Sequence, residues 1–240
     1  MTKNKALKIS LLLAALLAAP VSSAQAAGSK VWTGVDFGPK SYYTYVGGVT
    51  GLTGQNILNQ DGWLLRASAG YGQYNYDTVA VAGGNVDGKV KDGDLMLGYG
   101  HEITNGRITG YIGAETQDQN LSPNDVNDAV RGAAAGLKAQ AELELKPVDK
   151  VSANVVGSYS TAFRTYWTHG DVGYDLGYVT VGPEVGFIGN SAYNQSRFGG
   201  ALSNIKLCDF AKAKVYAGYA DTQGLGASGA YGGLGLSANF

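Results

Sequence analysis

The stretch RGAAAGLKAQAELEL, residues 131–145, decides the fold. Its odd positions are Ala133, Ala135, Leu137, Ala139, Ala141, Leu143 and Leu145. Its even positions are Gly132, Ala134, Gly136, Lys138, Gln140, Glu142 and Glu144. Helix propensity argues for a helix, since Ala, Leu, Glu and Lys all favour one. A helix, however, would scatter Lys138, Gln140, Glu142 and Glu144 around its circumference. The period of two puts them on one face, so the segment reads as a β-strand.

The same alternation recurs along the chain. Trp63, Leu65, Ala67, Ala69 and Tyr71 oppose Arg66, Ser68, Gly70 and Gly72. Leu95, Leu97 and Tyr99 oppose Asp94, Gly98 and Gly100, and Ile108 and Ile112 oppose Arg107, Thr109 and Glu115. Val181, Val185 and Phe187 oppose Gly182, Glu184 and Gly186. Asn105-Gly106 is a two-residue hairpin signal, and Pro147 to Lys150 reads as a tight turn. Longer polar loops are expected at 79–91 and 118–130. Twelve strands result, near 31–38, 41–50, 62–77, 89–102, 107–117, 131–146, 150–161, 163–171, 176–189, 193–205, 211–221 and 230–240. Ten is the alternative, if 163–178 adds no strand of its own.

The start of the chain has a different character. Lys3, Lys5 and Lys8 precede an apolar run from Ile9 to Ala19, and Ala24-Gln25-Ala26 offers small residues for cleavage. The run is too short to span a bilayer as a helix. Residues 1–26 therefore read as a secretory signal peptide, leaving 27–240 as one domain. Glycine is abundant, at 37 of 240 residues, and only 15% of the chain is charged. Disordered chains are charge-rich and aromatic-poor, so disorder is excluded. A single cysteine excludes a disulfide scaffold. A net charge of −1 provides no basic footprint for nucleic acid.

Alternating antiparallel strands build a soluble sandwich or a closed barrel. A face of Gly, Ser and mid-strand charges is a poor solvent face, because exposed Gly weakens strands. It suits a barrel lumen, with Leu, Val, Tyr and Trp turned to lipid. A spanning sheet must close on itself, because lipid offers its backbone no partners. The expectation is therefore an all-β protein, a closed antiparallel transmembrane β-barrel in the outer membrane. The tyrosines (16, against 6 Phe) fit interfacial girdles, with Tyr42, Tyr43, Tyr45, Tyr71, Tyr74, Tyr76 and Tyr99 near strand ends. A last strand ending in Phe240 matches the signal read by the barrel-assembly machinery.

Candidate chemistry is sparse. Gly224 to Gly229 spells G-x-G-x-x-G, but no helix pattern follows, so it reads as a loop. His101 and His169 are two ligands at most, where a metal site takes three or four. Asp87, Asp92 and Asp94 miss the calcium-loop spacing. No catalytic residue, metal or cofactor is assigned. The lumen face carries Arg66, Asp94, Arg107, Glu115, Lys138, Glu142, Glu184, Arg197, Lys212 and Lys214. Both signs are present, so these charges pair and fill the lumen or line a polar path for a ligand.

Two signatures carry a family resemblance. Asp61-Gly62-Trp63-Leu64-Leu65-Arg66, then Gly70 to Tyr76, form the first. Gly182-Pro183-Glu184-Val185, Gly189-Asn190, Tyr193, Gln195 and Arg197 form the second. With Trp32 to Asp36, Tyr45 and Gly47, the chain resembles the bacterial cellulose biosynthesis protein BcsS family. The resemblance implies an outer-membrane accessory role in making or exporting an exopolysaccharide of biofilms. It implies contact with cellulose or another glucan and with cellulose-secretion subunits. It supplies no catalytic residues. Arg66, Glu184 and Arg197 are the charged positions inside the signatures, and with Arg107 and Glu115 they are the lumen or ligand candidates. The competing reading is a barrel enzyme that modifies lipid A or polysaccharide.

Overall fold

A computed structural model describes residues 28–52 and 60–240; the signal peptide read at 1–26 lies outside the described residues. Among the described residues, twelve strands run in chain order: β1 (Ser29–Gly38), β2 (Ser41–Gly51), β3 (Gly62–Asp77), β4 (Asn85–Ile103), β5 (Gly106–Ser122), β6 (Gly132–Val148), β7 (Val151–Ser160), β8 (Tyr166–Asp175), β9 (Thr180–Gly189), β10 (Tyr193–Lys206), β11 (Ala211–Gly224) and β12 (Gly229–Asn239). Each pairs antiparallel with its neighbours, and β1 closes on β12 from Lys30↔Asn239 to Phe37↔Gly232. The sheet has no free edge, which is the condition for a β-structure in hydrocarbon.

The hairpins fix the register. Ile103 pairs with Gly106, so Thr104 and Asn105 form the loop, and Asn105 takes φ 64°. Asp149 and Lys150 do the same between Val148 and Val151, with Lys150 at φ 62°. A positive φ at the second of the two loop residues closes each reversal, the angle a type II turn takes there.

With an even number of strands, β1 begins and β12 ends at one end of the barrel, called here the terminal end. The other is the loop end. Strands β3 to β6 are 16, 19, 17 and 17 residues long, while β7, β8 and β9 have 10 each. About 9–11 residues cross a bilayer, so the β3–β6 side stands proud of it. There the loops expected at 79–91 and 118–130 shorten: β4 begins at Asn85 and β5 runs to Ser122. Backbone pairing continues where the outward residues have turned polar, as at Lys89, Lys91 and Asp118.

The outer face is apolar and uncovered. Leu65, Leu95, Leu97, Ile108, Ile112, Leu137, Val185, Phe198 and Leu234 are all exposed. A belt of this kind around a closed sheet is a lipid-facing surface. Trp63 and Tyr99 pack edge to face on it, with centroids 5.5 Å apart, near the terminal end. Tyr42 and Tyr71 meet at 6.4 Å nearer the loop end.

The tyrosine expectation needs correction. Tyr42, Tyr71 and Tyr99 alternate outward, but Tyr43, Tyr45, Tyr74 and Tyr76 alternate inward with Arg66 and Ser68. Glycine on the neighbouring strand makes the room. Trp32 is registered opposite Gly47, Tyr45 opposite Gly34, Tyr74 opposite Gly88, Tyr111 opposite Gly98, Tyr216 opposite Gly233 and Tyr231 opposite Gly218. A side-chain carbon added at any of these six glycines would overlap the ring lying over it. Each ring therefore lies flat on the wall instead of standing across the lumen, a cross-strand pairing that covers the bare backbone of Gly.

Candidate functional site: an aromatic lumen braced by ion pairs

The lumen encloses a cavity of about 580 Å³. Its walls carry Trp32, Tyr43, Tyr45, Tyr74, Tyr76, Trp167, Tyr193, Tyr216 and Tyr231. Trp32, Tyr45, Tyr74, Tyr216 and Tyr231 are the cavity rings seated on the glycines named above.

Two ionic networks brace opposite walls. On the β3–β6 wall, Arg66 Nη1 donates to Asp94 Oδ1 at 2.6 Å. Lys138 Nζ joins Asp94 Oδ2 at 2.8 Å and Glu115 Oε1 at 2.6 Å. Ser68 Oγ adds a hydrogen bond to Asp94 at 2.7 Å, and the Arg66 guanidinium lies 5.2 Å from the Trp32 ring. On the far wall, Glu184 accepts from Tyr231 Oη at 2.9 Å and contacts Lys214 at 3.2 Å and His169 Nε2 at 3.1 Å. Lys214 also reaches Asp171 at 3.3 Å. Buried charges persist only when paired and hydrogen-bonded, and each carboxylate named here has several partners.

The five candidates from the sequence divide between three places. Arg66 and Glu115 share the first network. Glu184 anchors the second. Arg197 lies beside it: Nε donates to Gln195 Oε1 at 2.6 Å, and the guanidinium sits 5.3 Å from the Tyr231 ring. Arg66 is thus not clustered with Glu184 and Arg197, because the signatures that hold them lie on opposite walls. Arg107 stands apart at the terminal end, bonded to Glu102 and, at 3.0 Å, to the Gln60 carbonyl.

Asp61, the first residue of the first signature, works at that same end. It accepts from the Glu102 backbone N–H at 2.7 Å and from His101 Nδ1 at 2.5 Å. The backbone donor first, and His101 second, hold its pKa below the ordinary 3.8. With Arg107 it pins the end of the 52–61 connection to the β4–β5 hairpin. The first signature therefore supplies a clasp (Asp61), a lipid-facing ring (Trp63) and a lumen charge (Arg66).

Sequence reasoning passed over Trp32, Trp167, His169, Asp171 and Tyr231 as lumen residues. Trp167, His169 and Asp171 share one face of β8, and the Trp167 and His169 rings stack with centroids 6.2 Å apart. Their spacing of two, next to Asp171, was the available signal. Among the described residues, no group of three or more His, Cys, Asp or Glu side chains is placed to hold a metal ion.

Chemically, the cavity offers flat apolar rings, a rim of hydroxyls and amides, and lysine and Arg66 charges that are already paired with carboxylates. That combination fits a ligand with apolar faces and a hydroxylated edge.

Solved structures with the same architecture are outer-membrane barrels. The KdgM porin is 11% identical, with a TM-score of 0.50 over 88% of this chain and 99% of that one. The translocator domain of autotransporter NalP from Neisseria meningitidis is 11% identical, with a TM-score of 0.52 over 99% and 96%. At such identities the likeness concerns the fold alone. A search of curated proteins finds no match to this chain. The family model described as cellulose biosynthesis protein BcsS matches residues 30–240. The match takes in nearly every described residue, both signatures included, and the chain belongs to the cellulose biosynthesis protein BcsS family.

Proposed function

We propose that this protein is an outer-membrane accessory of bacterial cellulose production whose lumen binds a glucan chain. The observation that carries the reading is the set of rings seated on glycines around the cavity. A pyranose presents C–H groups on its faces and hydroxyls at its equator. Rings lying flat along the wall meet the faces. Gln117, Gln119, Gln140 and Ser158, all on the cavity wall, meet the hydroxyls. Family membership supports glucan as the sugar, and the barrel fold supports the outer membrane as the place. The leader at 1–26 would deliver the chain there, with the barrel-assembly machinery inserting it, and cellulose-secretion subunits would be its partners.

The direct test titrates the folded protein in detergent with cellohexaose, following tryptophan fluorescence. Saturable change is expected. No response, together with unchanged cellulose output in a deletion strain, would remove the reading.

A second reading has one observation in its favour. His169 lies 3.1 Å from Glu184 inside the lumen, so an acid–base pair faces any polymer held there. His101 likewise contacts Asp61, at the terminal end. Among the described residues, neither histidine has a serine hydroxyl as a hydrogen-bond partner. If His169→Ala abolished cellulose output while cellohexaose binding persisted, a hydrolytic role would replace the binding role.

A further inference from the structure

The cavity has a mouth and a floor. Its lining includes Pro39, Asn190, Ala192, Leu225, Gly226 and Ala227. All six lie at the loop end. At the other extreme the lining stops at a belt of Trp32, Arg66, Lys138, Gln140, His169 and Lys214. The next inward side chains on β3, β4 and β5 are Leu64, Met96 and, past Gly113, Tyr111. They are only 2%, 1% and 7% exposed and pack together with Val49.

An open water channel wets the side chains along its whole length. Here the carboxylates of the belt are sealed by their own partners: Asp94, Glu115 and Glu184 are all buried. Beneath them on the β3–β5 side lies an apolar cluster that an aqueous path would expose. The belt and the cluster beneath it close the lumen on the β3–β5 side, and on the far wall the lining ends at His169 and Lys214.

Charge narrows the ligand further. Arg66, Lys138 and Lys214 are each bonded to carboxylates in the floor. Arg197 is held against Gln195 and Tyr231. Among the described residues, the cavity thus presents no free row of cations to an acidic polymer.

We propose that the lumen is a one-ended well, open at the loop end, that takes the end of an uncharged glucan chain and does not conduct it through. This inference rests on the glucan reading above and decides between binding and passage. Four of the five connections at the terminal end are turns of two to four residues, beside the longer 52–61 segment, and the prolonged β3–β6 strands rise at the loop end; in bacterial barrels the short turns face the periplasm. The chain end would therefore enter from outside the cell, as for a polymer already exported.

The test uses the full mature chain, folded in vesicles, with Trp63→Phe to silence the lipid-facing indole. Cellohexaose binding is read from the fluorescence of Trp32 and Trp167. Release of cellohexaose trapped inside the vesicles is read in parallel. Saturable binding without release beyond that of empty vesicles is expected. Trp32→Ala in the same background should weaken binding about three- to tenfold. Binding accompanied by release would overturn the one-ended well while leaving the glucan reading standing. Equal affinity for hexagalacturonate would overturn the restriction to uncharged chains. No binding at all would remove both this inference and the reading beneath it.

Discussion

Lys138 on β6 and Asp94 on β4 are joined across the intervening strand, with Nζ 2.8 Å from Oδ2. The same ammonium reaches Glu115 on that strand, and the same carboxylate takes Arg66 from β3. Four consecutive strands are tied at one level. The Asp94 side chain is 2% exposed, so removing its charge leaves the mostly buried Arg66 without a carboxylate and Lys138 with Glu115 alone. Breaking a buried pair in this way costs about 3–5 kcal/mol. Asp94→Asn should lower the urea midpoint of the folded barrel accordingly. The contact of Lys40 with Asp77 is the contrast, with side chains 46% and 70% exposed. Such exposed pairs contribute little, and Asp77→Asn should leave the midpoint where it is. Equal effects of the two substitutions would contradict the picture of a braced lumen.

The glycine seats make a second prediction. Valine at Gly47 would overlap Trp32, whereas a side-chain carbon at Gly110 meets nothing within 4 Å. Overpacking of this kind costs about 1–3 kcal/mol. Gly47→Val should therefore destabilise the barrel and displace the indole, seen as a shifted emission maximum. Gly110→Ala should be neutral, or stabilising by about 0.5–1 kcal/mol through reduced backbone entropy. An unshifted emission in the Gly47 variant would mean that the ring does not lie on that wall.

How far the sequence could be read follows from what alternation encodes. A period of two separates two faces, and the charges from Arg66 to Lys214 mark one of them as the lumen. Closure and the count of twelve rest on this, and the stretch 163–178 proves to hold a short 3-10 turn, Ala162–Arg164, followed by β8. Tyrosine marks neither face, because it suits a membrane interface and a polar cavity equally. Trp32, Tyr45 and Tyr231 become lumen rings only through register, which pairs each with a glycine on a strand that local patterning cannot align. Strand ends are hidden for a related reason. β4 and β5 continue past the membrane with polar outward residues, so their hydrogen-bond ladder outlasts the hydrophobic alternation. The two signatures were legible as motifs, but their placement on opposite walls was not.

Cys208 tests the sidedness. It is exposed in the turn between β10 and β11, at the terminal end. If that end faces the periplasm, a membrane-impermeant maleimide should leave Cys208 unlabelled in intact cells. Permeabilising the outer membrane should expose it. Labelling of intact cells would invert the barrel and place the mouth of the well inside the envelope.

Asp61 tests the terminal clasp through pH. Its folded-state pKa lies below 3.8 because the Glu102 N–H and His101 favour the carboxylate. A depressed folded value means the contact stabilises the fold above the unfolded pKa and fades as pH falls through the folded one. Carboxyl ¹³C titration should give Asp61 a midpoint under 3.8. Above that pH, Asp61→Asn should release Gln60 and residue 61 from the β4–β5 hairpin, seen as faster hydrogen exchange at the Glu102 amide. A midpoint at or above 3.8 would show the clasp to be absent in solution.

Everything above depends on which face meets lipid, and the three tryptophans report on it. Trp63 belongs to the outer belt, half exposed beside Tyr99, while Trp32 and Trp167 line the cavity. The decisive measurement is fluorescence quenching of single-tryptophan variants in vesicles of lipid brominated on its acyl chains. Strong quenching of Trp63, with Trp32 and Trp167 protected, is the expected result. Quenching of Trp32 and Trp167 with Trp63 protected would turn the barrel inside out and contradict the account.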